Sequence, residues 1–211
     1  SCCTYAGNPY LIDFDLLAEE GLLVPADYDG LNWGEDSSTI PYGLLYTQCY
    51  EVLRIAFSNA KPDPDFDAFV EAQKDWLEDY ALYMALKFAH DGKPFTEWGR
   101  SLRRRKKEAM DRARETYKED IAFHKFIQYQ FFKQWYRLKA YANEQGISII
   151  GDLPIYTAAD SVEVWAHPEL FELNVMNRPA EVAGCPPDCF SATGQLWGNP
   201  IYCWKQHRVT G

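Results

Sequence analysis

The sequence lacks any apolar run approaching the ~18 residues a membrane-spanning helix needs. Its N-terminus has no basic segment leading into an apolar one, so no secretory signal is legible. Cationic side chains are in the minority: 21 Lys and Arg stand against 31 Asp and Glu, a formal charge of −10. A field of that sign repels polyanions, which excludes nucleic acid and anionic membrane surfaces as general partners. Paired metal-ligand spacing is missing too. Cys2, Cys3, Cys49, Cys185, Cys189 and Cys203 form no CxxC ladder. Pro186 and Pro187 separate Cys185 from Cys189, and His207 is a single downstream partner, which does not make a zinc site. The thiols are expected to be scattered and reduced, in a soluble cytoplasmic protein with a neutral or small ligand. An initiating methionine is also absent, and Gly211 ends no recognisable terminal element, so a segment of a longer protein is expected.

What is present is apolar and aromatic: 47% hydrophobic residues and 16% aromatic, enough for one domain with a real core. Gly7, Asn8 and Pro9 close a polar loop before a helix start near Tyr10. Leu11, Ile12, Leu16, Leu17, Leu22 and Leu23 give that helix an apolar face, and Gly21 closes it. Residues 24–42 read as loop. The spacing of Leu45, Val52, Leu53 and Phe57 predicts a helix over 42–57, broken across 59–64. Phe66, Phe69, Val70, Leu77, Tyr80, Ala81 and Met84 predict one long amphipathic helix over 66–89, stopped by Asp91, Gly92, Lys93 and Pro94. Arg100, Arg103, Arg104, Arg105, Lys106 and Lys107 then make a basic run. No aromatic interleaves these charges, so a solvated helix face is preferred over a nucleic-acid patch. Residues 108–145 read as one helix with apolar residues on two faces, which makes His124 a packing residue rather than a ligand.

The chemistry gathers in 147–199. Ile147, Ser148, Ile149 and Ile150 follow Gly146 and predict a short buried strand, with Gly151 and Asp152 at its tip. In parallel α/β architectures ligands bind at such tips, although an Asp before Leu153 and Pro154 is also ordinary turn chemistry. Asp160 and Glu163 have the spacing of a capping box for a short helix through Ala166. Residues 184–202, with paired prolines, Phe190, Gln195, Trp197 and Asn199, read as a long ordered loop, a type of segment that carries function.

The stretches GDLPIYTAADSVEVWAHPELF and AGCPPDCFSATGQLWGNPIY resemble the amylomaltases, the 4-α-glucanotransferases also called disproportionating enzymes. TYAGNPYLID, YGLLY, WLEDYALYMALK and FHKFIQYQFFKQW are similar to the same family in the same order. The resemblance implies an α/β fold, part of a (β/α)8 TIM barrel with large helical insertions. Residues 1–211 would be the N-terminal portion of one catalytic domain, with a helical insertion over about 60–145. A barrel strand and a substrate-covering loop would occupy about 146–211, and the barrel would be incomplete in this segment. The implied activity moves α-1,4-glucan segments to the 4-hydroxyl of another glucan by a retaining mechanism, with no cofactor.

Carried over by position, Asp152 matches a cleft carboxylate, and Phe190, Gln195 and Trp197 match the loop over the glucan. Asn199 beside them and Cys3 in the opening loop are further expected contacts. An aromatic plane with amide and carboxylate side chains suits the apolar faces and hydroxyl rim of a sugar, although Trp197 could simply be packed. Cys3 stands where the family commonly has Ser, and Cys189 where it commonly has Tyr. The tail after Trp204 leaves the family pattern. The nucleophile's R-x-D-H-F-R-like motif and the acid/base are absent from these residues, so the segment by itself is expected to be inactive and poorly stable. Alternatives are a non-catalytic α-glucan-binding or scaffold protein, and a helical structural domain with no ligand.

Overall fold

The computed structural model describes residues 2–34 and 38–210; Ser1, Gly211 and 35–37 of the expected 24–42 loop lie outside the described residues. In chain order the elements are α1 (Phe14–Glu19), α2 (Tyr42–Asn59), α3 (Pro64–Ala72), α4 (Lys74–Ala89), α5 (Arg100–Arg103), α6 (Lys107–Thr116), α7 (Lys118–Glu144), α8 (Val162–Ala166), β1 (Val182–Cys185), β2 (Gln195–Pro200) and α9 (Trp204–Thr210). The chain divides into two compact units, one of residues 7–77 and 122–150, the other of 1–6, 78–121 and 151–211. Helices of the 60–145 region contribute residues to both.

In the unit of 7–77 and 122–150, Leu17, Val52, Leu53, Ala56, Phe123 and Ile127 form a buried cluster. Each large apolar side chain removed from water there contributes about 1.5–3 kcal/mol. Phe57 lies 5.6 Å from Phe123 and 5.5 Å from Phe126, ring to ring, and His124 packs 6.4 Å from Tyr50. Burial drives the His124 pKa down to about 3, with the Arg54 charge adding to the effect. Two glutamines of α7 pin the N-terminal loop as a strand would. The Gly7 amide donates to Gln128 Oε1 at 2.8 Å, and Gln128 Nε2 donates back to the Gly7 carbonyl at 3.1 Å. Gln134 repeats the exchange with Asp13 at 2.8 and 2.9 Å. These bonds satisfy loop backbone groups, half-buried at Gly7 and exposed at Asp13, that have no ladder partner.

In the other unit, Tyr83, Phe95, Trp98 and Trp165 make the core, with ring centroids 5.3–5.8 Å apart along Tyr83–Trp98, Tyr83–Trp165 and Trp98–Trp165. Asp160 accepts the Tyr83 hydroxyl at 2.6 Å and the Phe95 amide at 3.0 Å, and pairs with Lys87.

Gly21, at φ 73°, ends α1 with the Leu22 amide returning to the Leu17 carbonyl, as its position predicts. Other expectations are corrected. The 66–89 helix is two, α3 and α4, separated at Gln73, whose Oε1 accepts the Trp76 indole at 2.8 Å. The 108–145 helix likewise breaks at Tyr117. Ser161, not Asp160, caps α8, accepting the Val164 amide. Residues 147–150 form no strand: Ile147, Ile149 and Ile150 are exposed, Ile150 at 94%. A β-strand exists only as part of a ladder, and no described strand pairs with this one.

Candidate functional site

The described sheet is one antiparallel hairpin in which β1 pairs with β2, Gly184 opposite Leu196 and Cys185 opposite Gln195, with a register irregularity between Val182 and Gly184. The 184–202 stretch is therefore a hairpin with a loop at its end, rather than loop throughout. Gly184 and Gly194 make the close strand approach possible. A Cβ on Gly184 would meet the Gln195 carbonyl at 2.5 Å, and one on Gly194, at φ 73°, would meet the Cys185 carbonyl at 2.6 Å.

The loop at the end, 186–194, is organised by Asp188. Its Oδ1 accepts the Phe190 amide at 2.9 Å and the Ser191 amide at 2.8 Å, an Asx turn, and the Ser191 hydroxyl donates to the Gly194 carbonyl at 2.7 Å. Phe190 is held on this loop with 90% of its surface exposed. Trp197, 49% exposed on β2, donates its indole N–H to Gln195 Oε1 at 3.0 Å, so the amide fixes the ring's orientation. Asn199 Nδ2 donates to the Thr157 carbonyl at 2.7 Å and ties the segment after Asp152 to the hairpin. Asp152 itself is exposed on 151–155.

Tyr156 joins this set, a residue the sequence reading did not single out. Its ring lies 6.1 Å from Trp197 and stacks on Tyr202 at 6.1 Å with an interplanar angle of 9°. The neighbouring Thr157 carbonyl accepts from Asn199, a long-range contact that no periodicity announces. Gln195, Trp197, Asn199 and Tyr156 are thus brought together as an aromatic and amide surface, and Phe190 stands on the adjoining loop. Cys3 sits apart from solvent, 3% exposed. The Thr4 amide donates to Glu163 Oε1 at 2.6 Å, and the Val162 amide donates to the Cys2 carbonyl at 2.9 Å. Burial, with the Glu163 charge second, pushes the Cys3 thiol up to about 12. All six cysteines are free thiols, and no cluster of three metal-ligating side chains occurs among the described residues. No helix among them is long and apolar enough to cross a membrane.

The surface is thus an exposed indole held by one amide, with a second amide, Asn199, further along the same strand. The 4-alpha-glucanotransferase family profile matches residues 1–211. A 4-alpha-glucanotransferase of Thermus thermophilus is 49% identical over 210 residues, covering 97% of this chain and 41% of that protein. One of Clostridium butyricum is 47% identical over 207 residues, covering 97% and 42%. The solved amylomaltase from Streptococcus agalactiae in complex with acarbose superposes with a TM-score of 0.95 at 43% identity, covering 100% of this chain and 43% of that one. The chain spans about two fifths of the length of the curated relatives it matches. Residues 1–211 belong to the 4-alpha-glucanotransferase family.

Proposed function

We propose that this chain is the substrate-holding part of a cytoplasmic 4-α-glucanotransferase. The reaction transfers an α-1,4-glucan segment to the 4-hydroxyl of another glucan through a covalent glycosyl-enzyme. The reading is carried by one observation: the aromatic and amide surface of Tyr156, Gln195, Trp197 and Asn199 lies in a chain that matches an amylomaltase along its whole length. Trp197 and Tyr156 supply planes for pyranose faces, Asn199 fixes the segment that follows Asp152, and Asp152 accepts substrate hydroxyls. Phe190 covers the sugar from the hairpin loop. Cys3, being buried, acts through the N-terminal segment and Glu163 rather than by direct contact.

Retention requires a nucleophile and an acid/base about 5–5.5 Å apart. Neither is assigned within residues 1–211, and the chemical step rests on family carboxylates outside them. In this reading 147–150 becomes a barrel strand when neighbouring strands flank it. That burial gives Ile147, Ile149 and Ile150 the partners they lack here. α-1,4-Glucans are the partners; no cofactor, nucleic acid or membrane is required.

The test is disproportionation of maltotriose by the full-length protein and its Asp152→Ala variant. Loss of a carboxylate that holds substrate hydroxyls lowers turnover about 10- to 100-fold. Unchanged kcat and KM would remove Asp152 from the site. A full-length protein that binds maltotriose without rearranging it would favour a non-catalytic glucan-binding protein.

A further inference from the structure

The basic run of 100–107 takes no part in the surface described above. Its three consecutive arginines, Arg103, Arg104 and Arg105, line a cavity of ≈ 410 Å³ together with Trp165, Glu169 and Asn174. Arg103 donates Nη1 to the Thr96 carbonyl at 3.2 Å, and Arg104 donates Nη2 to the Val175 carbonyl at 3.0 Å. Arg105 gives Nη2 to Asp79 at 2.6 Å and lies over the Trp165 ring, 4.3 Å from its centroid. Arg103 Nε and Arg105 Nη1 are enclosed and have no acceptor among the described residues. An enclosed N–H without an acceptor is unfavourable even on a guanidinium that is paired elsewhere, because that N–H has lost water without gaining a hydrogen bond. Arg105 also holds a left-handed backbone, φ 47°, a conformation that non-glycine residues keep only where the surroundings enforce it. Three arginines thus line one cavity of a chain whose overall charge is −10. Glu169 is the one carboxylate among the cavity's lining residues, and Asp79 is engaged by Arg105.

We propose that this cavity binds the phosphoryl group of a small phosphorylated solute. A tetrahedral oxyanion offers several acceptors and up to two charges, which matches planar guanidinium forks better than any neutral polyol does. Two sources share this chemistry, inorganic phosphate and a sugar phosphate. The Asn174 side chain at the wall offers a further polar contact to a sugar hydroxyl.

The experiment is hydrogen–deuterium exchange on the full-length protein with inorganic phosphate, glucose 1-phosphate, maltose or chloride, all at one ionic strength. Affinities are read by titration. Expected is saturable protection of 100–107 and 168–178 by phosphate or glucose 1-phosphate, absent with maltose or chloride. Tighter binding of glucose 1-phosphate than of phosphate makes the solute a sugar phosphate, and equal binding makes it phosphate itself. Arg104→Gln, at an exposed side chain, weakens this binding ~10-fold, the scale of one charge-assisted hydrogen bond. Equal protection by chloride reduces the effect to screening and overturns the proposal. Protection by maltose alone, or by none of the four, overturns it as well. Undiminished affinity in Arg104→Gln refutes the arginine assignment.

Discussion

Replacing Asp160 with alanine removes three partners at once. Its carboxylate accepts the Tyr83 hydroxyl and the Phe95 amide and pairs with Lys87, whose side chain is 15% exposed against 33% for Asp160. Hydrogen bonds to a charged acceptor are each worth about 1.5–3 kcal/mol. Removing one member of a buried ion pair leaves the other uncompensated, at about 3–5 kcal/mol. A third of the Asp160 side chain already meets water, which will enter and solvate part of what is left, so the upper sums do not apply. A loss of about 3 kcal/mol is expected. Urea unfolding of the full-length protein, followed by tryptophan fluorescence, reads it directly, because Trp98 and Trp165 sit in the same core. Lys87→Met in the Asp160→Ala background should restore about 1 kcal/mol by removing the stranded ammonium. A change below ~0.5 kcal/mol for Asp160→Ala, typical of an ordinary surface substitution, would refute the network's role.

Gly7→Ala is expected to be severe, since the added Cβ would come within 1.9 Å of the Phe131 ring while both backbone groups are fixed by Gln128. A drop of at least ~3 kcal/mol by the same urea assay is the prediction. His124, with its pKa driven down to about 3 from 6.5, remains neutral in the folded state as pH falls, while the unfolded chain takes up the proton. Its contribution is complete above pH 6.5 and is lost at about 1.4 kcal/mol per pH unit below it. A His124→Asn variant should show a shallower loss between pH 6.5 and 4, and identical slopes would count against the assignment. Burial pushes the thiols of Cys49 and Cys3 up to about 11 and about 12, so alkylation at pH 8 should spare both in the native protein and mass spectrometry should find them unmodified. Cys49→Ala should leave maltotriose turnover unchanged.

Much of the helical organisation was legible because its signals are local. Gly21 at a positive φ and the apolar spacing of Val52, Leu53 and Phe57 need only neighbouring residues. The breaks at Gln73 and Tyr117 were not legible, since neither involves proline or glycine. At Gln73 a side-chain bond to the Trp76 indole accompanies the interruption. Asp160 was misassigned as a cap because its spacing to Glu163 is right, whereas its partners Tyr83, Lys87 and Phe95 lie 65 to 77 positions away. The run at 147–150 has strand composition, but composition supplies no neighbour to pair with. Trp197 and Gln195 were singled out through the family resemblance, and the structure joins them by the bond from the indole to Oε1. Tyr156 was not singled out, because it meets Trp197 and Tyr202 across 41 and 46 positions of sequence.

The Asx turn at Asp188 separates display from support. Phe190 contributes its amide to the turn and almost nothing of its ring to the packing, so the loop keeps its shape whichever side chain stands there. Position 190 can therefore be exchanged for other aromatic, aliphatic or polar residues at little cost in stability. Its conformation is already fixed, so a gain in contact need not be offset by ordering the loop. Selection acting on this residue is free to tune what the hairpin meets without disturbing how it folds.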